Sequence, residues 1–167
     1  MEFDLPVNES RTKTFTVQEH QIADFLGSGK VSVLSSPSMI LMMEQTAMLF
    51  AQEYLSEEYI TVGTRVDVSH LRASKLGAEI TVNAKLIDFE KKHMVFVVEA
   101  FDGEHKIGEG KHERHIVNKE KFISRIQKNK RKEVVITTFV LFFLFYSVGC
   151  ITSIKSIITD MPTGIKT

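Results

Sequence analysis

The chain has 167 residues, enough for one ordinary domain with its own core and too few to expect two. Basic and acidic side chains balance at 21 each, so the formal net charge is zero and no global field draws the chain to nucleic acid or anionic lipid. One cysteine, Cys150, excludes an internal disulfide framework and a cysteine-based zinc site, and fits a reducing compartment.

The first six residues, Met1 to Pro6, carry acids and no basic region ahead of an apolar stretch. They do not read as a secretory signal, and a cytoplasmic location is the expectation. Arg11 to Val17 alternates Thr12, Thr14 and Thr16 with Lys13, Phe15 and Val17, the two-residue period of a half-buried strand. Val17 to Leu26 reads as a short helix closed by Gly27, with Gly27, Ser28 and Gly29 as a turn. After a brief extended piece through Val31, Val33 and Leu34, Ser35, Ser36 and Pro37 form a helix start. Serine oxygen accepts a bond from an unpaired first-turn N–H, and proline has no N–H to leave unpaired there. From Pro37 to about Tyr54 the sequence is rich in Met39, Ile40, Leu41, Met42, Met43, Ala47, Met48, Leu49 and Phe50. It predicts a helix buried on nearly all sides.

Strands follow, over Ile60 to Ser69, Glu79 to Asp88, His93 to Phe101 and Lys106 to Val117. The turns between the later ones fall at Leu76 and Gly77, at Glu90 to Lys92, and at Asp102 and Gly103. These spacings make hairpins and therefore an antiparallel sheet. One long apolar helix beside such a sheet is buried when the sheet curls around it, so the expected class is α+β with a hot-dog fold, an antiparallel sheet wrapped around one long central helix. The domain is expected over 1–127, and 128–167 reads as a basic linker and an apolar tail. Lys119 to Lys132 is a basic, helical exit. From Val134 to Ile154 there is no charged residue. That run has the length of a membrane-spanning helix of about 20 residues, with Lys128, Lys130, Arg131 and Lys132 as a cytoplasmic flank. Its β-branched and aromatic content equally fits a buried strand or an irregular tail. Membrane contact through 134–154 and plain solubility both stay open.

Glu44 carries the strongest single chemical signal. Its helical neighbours are Ile40, Leu41, Ala47 and Met48, an apolar stripe in which an unpaired carboxylate is costly. It either bonds a neighbouring strand or subunit, or works as a general base or nucleophile in a partly dry cleft. Ser36 precedes it by eight residues, about 12 Å along a helix axis. It lies at the helix N-terminus, where N–H groups and the dipole suit an oxyanion, and where Ser35 competes for the capping role. His70 ends a strand. His112 and His115 point to opposite faces of the last strand, so they are not expected to ligate a metal together, and neither metal nor cofactor is expected. Gly108 and Gly110 lack the third glycine and following helix of a dinucleotide fingerprint; they read as places of close backbone approach.

Three linked segments then carry a family resemblance, from about Thr14 to Phe122. Val33-Leu34-Ser35-Ser36 leads through Met39 to Met43-Glu44, Val62-Gly63-Thr64 leads to His70-Leu71, and Val98-Glu99-Ala100 leads to Ile107-Gly108-Glu109-Gly110 and Glu113. In their order and spacing these resemble the hot-dog thioesterases similar to fluoroacetyl-CoA thioesterase. The resemblance implies thioester hydrolysis with Ser36, Glu44 and His70 as the catalytic group, Gly63 beside the acyl moiety, an acyl-CoA substrate, and a homodimer or dimer of dimers with active sites at the subunit interface. Arg72, Lys111 and Arg114 are candidates for the CoA phosphates by local charge.

Two features depart from the family pattern. Serine stands at 36 where threonine is commoner, which keeps the hydroxyl and loses the rotamer-restricting methyl. Pro37 and Ser38 are less bulky and aromatic than in the fluoroacetate enzyme, which argues against a fluorine-selective acyl site. The expected activity is hydrolysis of a short or medium acyl-CoA. The rivals are a non-catalytic acyl-CoA or lipid-binding hot-dog module, and an enoyl-CoA hydratase.

Overall fold

The strand over Arg11 to Val17 forms as β1, Ser10–Thr16, and the four later strands form as β2, Tyr59–His70, β3, Glu79–Glu90, β4, His93–Asp102, and β5, His105–Asn118. They belong to a computed structural model that describes residues 3–128. All pairings are antiparallel, in the order β1-β3-β4-β5-β2, so β1 and β2 are the sheet edges. The turn between β4 and β5 holds Gly103 at φ 58°, a left-handed conformation that is inexpensive for glycine.

Alternation along the strands decides which side carries the core. Ile80, Val82, Ala84 and Leu86 of β3, Met94, Phe96, Val98 and Ala100 of β4, and Ile107 and Ile116 of β5 are buried. They form one cluster with Met39, Met42, Met43, Ala47, Phe50 and Ala51 of α1, Ser36–Gln52. Phe50 meets Phe96 edge-on at 5.6 Å. Burying a side chain of this size contributes about 1.5–3 kcal/mol, so the helix is held by its sheet-facing stripe. The opposite stripe is open in the protomer: Leu41 is 47% exposed and Met48 37%. Burial on nearly all sides is therefore corrected, because the five strands of one protomer cover only one side of the helix.

The helix expected over Val17 to Leu26 also does not form. Only a single 3-10 turn, Glu19–Gln21, follows β1. Ile22 is extended and bridges Leu34, and the Ala23 N–H donates to the Val33 carbonyl at 2.8 Å. Pairing across this loop, which also has the Ser35 N–H donating to the Gln21 carbonyl at 3.0 Å, buries Ile22 and Leu34. A short isolated helix would gain less.

The chain divides into two units, 1–120 and 121–167. In the second, 121–128 are helical. The apolar run 134–154 lies outside the described residues. Among the described residues no helix is long and apolar enough to cross a membrane.

Candidate active site

Two serines compete at the start of α1, and the structure assigns them different work. Ser35 is the N-cap: its backbone is extended, and its Oγ accepts from the Ser38 N–H at 3.2 Å. The Ser36 hydroxyl is thereby free of capping. It lies 2.8 Å from His70 Nδ1. His70 reaches it because β2 ends there: His70 pairs with Gly108 at the start of β5, and the Leu71 N–H donates to the Ile107 carbonyl at 2.7 Å. The far nitrogen of the ring, Nε2, is buried and has no hydrogen-bond partner among the described residues. A buried polar atom left without a protein partner is costly in a purely structural residue.

Glu44 belongs to a second cluster. Its side chain is 35% exposed, and Oε1 lies 3.8 Å from His112 Nε2, beyond hydrogen-bond length. A Cβ placed on Gly63 would come within 3.0 Å of the same Oε1 and 3.1 Å of His112 Cε1. Glycine at 63 is what lets the carboxylate lie against the β2 backbone. A bulge between Gly63 and Arg65 bends the strand at this point.

On β5 the inward-facing residues run Gly108, Gly110, His112, Arg114. The Gly108 backbone lies under Met39 and Met43, which permits the close approach of α1. His112 is 1% exposed and Arg114 6%. Arg114 donates through Nε to Thr61 Oγ1 at 2.9 Å, through Nη2 to the Thr61 carbonyl at 3.0 Å, and through Nη1 to His112 Nε2 at 3.0 Å. Because guanidinium only donates, His112 Nε2 accepts, so the ring proton sits on Nδ1 and donates to the Arg65 carbonyl at 2.9 Å. Burial holds His112 below the usual histidine range, and the Arg114 charge acts in the same sense; the Arg65 carbonyl, Glu44 and Glu113 oppose them. Burial also pushes Arg114 down, against the pull of Glu44.

The sequence-predicted residues thus fall into two groups. Ser36 meets His70, and Glu44 meets Gly63, but among the described residues Glu44 bonds neither Ser36 nor His70. Arg114 is placed otherwise than at exposed CoA phosphates, since its guanidinium is turned inward and spent on Thr61 and His112. Lys111 is exposed on the other face of β5, opposite Asp67 and Val97. Arg72 is exposed just past His70. His112 joins this cluster on a signal that strand periodicity carries. It shares a strand face with Arg114 two residues on, the face that carries Gly108 and Gly110.

Gly63→Ala tests the packing against Glu44. The closest contact is with the tip of the flexible Glu44 side chain, but the His112 ring, bonded at both nitrogens, lies almost as near, so the variant should fold with a modestly lowered Tm. Thioester hydrolysis should fall about 10-fold or more, since misplacing a reacting group by about 1 Å costs up to about 100-fold. Equal kcat/KM in the two proteins would remove Gly63 from the site.

Comparison with known proteins bears on this arrangement. The sequence pattern of FlK, fluoroacetyl-CoA-specific thioesterase, matches residues 17–120, which includes every residue of both clusters. The chain belongs to this family. It is a thioester hydrolase with a hot-dog fold. It is 28% identical over 134 residues to the fluoroacetyl-CoA thioesterase of Streptantibioticus cattleyicolor, an alignment covering 77% of this chain and 96% of that protein. The solved structure of fluoroacetyl-CoA thioesterase FlK matches with a TM-score of 0.71 at 28% identity, over 75% of this chain and 97% of that one. A thioesterase superfamily member from Thermus thermophilus, 22% identical, matches with a TM-score of 0.73 over 79% of this chain and 98% of its own. That likeness carries the fold alone.

Proposed function

We propose that the domain, expected over 1–127, hydrolyses a short or medium acyl-CoA thioester to the free acid and CoA. Glu44 and His70 act as the base or nucleophile pair. The observation that carries this reading is the Ser36 hydroxyl 2.8 Å from His70 Nδ1, with the buried Nε2 left unpartnered. A hydroxyl that fixes one edge of an imidazole leaves the other edge to bind or protonate a reacting group. Glu44, whose carboxylate accepts no hydrogen bond from the described residues, supplies the base for water or the attacking oxygen. Developing charge on the thioester oxygen needs donors in a water-poor site, and the start of α1 is the element suited to supply them. Relatives acting on fluoroacetyl-CoA support an acyl-CoA substrate. Pro37 and Ser38 support an unfluorinated one.

A homodimer belongs to the same reading, and an exposed sheet edge supports it. β2 is a sheet edge whose residues 63–67 are exposed, Val66 among them at 41%. An unpaired edge of this kind is a template for a second strand. Pairing of β2 with its copy in a homodimer, or within a dimer of dimers, would cover the Gly63 backbone beside Glu44.

The test is CoA release from a panel of acyl-CoAs graded in chain length, in a Cys150→Ser background when a thiol reagent is used. The expected result is turnover highest among the short and medium chains, with no advantage for a fluorinated acetyl group. Binding without CoA release would establish the non-catalytic module instead. Loss of enoyl absorbance without CoA release would establish a hydratase.

A further inference from the structure

We propose that His112 is a positioning residue for Glu44, an uncharged spacer that holds the Arg114 guanidinium away from the catalytic carboxylate. This rests on Glu44 acting in the hydrolysis. Three elements converge on one ring. β5 carries His112 and Arg114 on its inner face, the β2 backbone supplies the Arg65 carbonyl, and α1 brings Glu44 to 3.8 Å. Glu113, adjacent on β5, is turned to the opposite face, where it meets His93 and Arg65. The charged groups around the ring are therefore Glu44, Arg114 and, more remotely, Glu113.

Both ring nitrogens are committed. Nδ1–H donates to the Arg65 carbonyl and Nε2 accepts from Arg114, so no N–H remains to bond Glu44 and no second proton can be added without breaking the Arg114 bond. The carboxylate rests against an uncharged ring edge on one side and the Gly63 backbone on another. Arg114 reaches only the backbone carbonyl of Glu44, at 3.5 Å. It makes no direct guanidinium–carboxylate pair with Glu44. Such a pair would be the strongest alternative partner for the carboxylate, and would compete with attack on water or thioester. Oε1 of Glu44 is thus held against Gly63 and the edge of the His112 ring.

Two measurements test the proposal. In the intact protein labelled with 15N-histidine, the His112 signals should report a neutral ring protonated on Nδ1 and remain so as pH is lowered through the ordinary histidine range. A ring that charges within that range overturns the proposal without any variant. The second measurement compares His112→Phe with His112→Gln. Phenylalanine removes the acceptor and frees Nη1 of Arg114 toward Glu44, while Nε and Nη2 stay bonded to Thr61. The expected result is kcat lowered about 10-fold or more with KM changed less than about threefold, and the acid limb of kcat/KM moved to lower pH. Glutamine keeps an acceptor for Arg114 and should recover most of the loss, with the limb returned. Parental kcat and an unmoved limb in a folded His112→Phe protein overturn the role, as does an equal loss in both variants without movement of the limb. If Glu44→Gln is inert and His112 variants are silent, this inference alone fails. A fully active Glu44→Gln removes both it and the catalytic reading beneath it.

Discussion

Glu44→Gln lowers CoA release from the preferred acyl-CoA by at least about 100-fold, the usual loss when a general base is removed. The two side chains have nearly the same volume, so packing beside Gly63 and His112 is kept. What changes is charge and basicity, since an amide can neither take a proton from water nor attack a thioester carbonyl. Glu44 is suited to show this cleanly because its carboxylate accepts no hydrogen bond from the described residues, the neutral His112 ring lying 3.8 Å away. Loss of the charge leaves no buried donor without its acceptor. Thermal stability should therefore stay within about 1 kcal/mol of the parent. The affinity for a non-hydrolysable acyl-CoA analogue should change less than about threefold. Rates measured under single-turnover conditions separate the chemical step from product release. Turnover at the parental rate would exclude Glu44 from the mechanism, and a large fall in Tm would assign it a structural role instead.

Gly110→Ala is expected to have the largest effect on folding. Its Cβ would fall on the Asp67 carbonyl oxygen and the Val68 Cα, both backbone atoms of β2, which have no rotamer in which to retreat. β2 would have to separate from β5 along the pairs that also place His70 opposite Gly108 and Gly63 opposite Arg114. Overpacking of this kind costs about 1–3 kcal/mol, and backbone overlap places it at the upper end. For a domain of this size that lowers Tm by about 6–15 °C, and hydrolysis falls with it because both clusters depend on β2. Gly108→Ala is the control. Its Cβ would meet the Sδ and Cε atoms of Met39, the end of an unbranched side chain that can move aside. The two alanines should differ by at least about 1 kcal/mol in chemical denaturation, with Gly110→Ala the weaker protein. Equal stabilities would contradict the close approach of β2 to β5.

Much of this molecule is local and therefore readable. The strands announce themselves by alternation, and β3, β4 and β5 lie within two residues of where their patterns place them, because one face of each is buried and a one-residue slip would turn every side chain over. The helix start at Ser35, Ser36 and Pro37 is equally local, and the eight-residue interval from Ser36 to Glu44 is a matter of counting. The spacing of Gly63 and His70 with these residues was enough to suggest the family and a thioester hydrolase.

Other features depend on segments far apart in sequence, and composition carries no record of them. Ser35 caps α1, and the partner of the Ser36 hydroxyl is His70, 34 residues away. Val17 to Leu26 has the composition of a helix, yet the bond between Ala23 and Val33 and the burial of Ile22 against the loop outweigh a weak local preference. Alternation puts His112 and Arg114 on one face of β5, but whether that face meets solvent or the underside of α1 is decided by the sheet order. Arg114 thus changed from a surface cation for phosphate to a buried donor for Thr61 and His112. The chain by itself determined the elements, their periods and the residues capable of chemistry. Only the tertiary structure decided which of those residues meet, because an ion or hydrogen-bond partner is chosen by distance in space, and packing alone sets that distance.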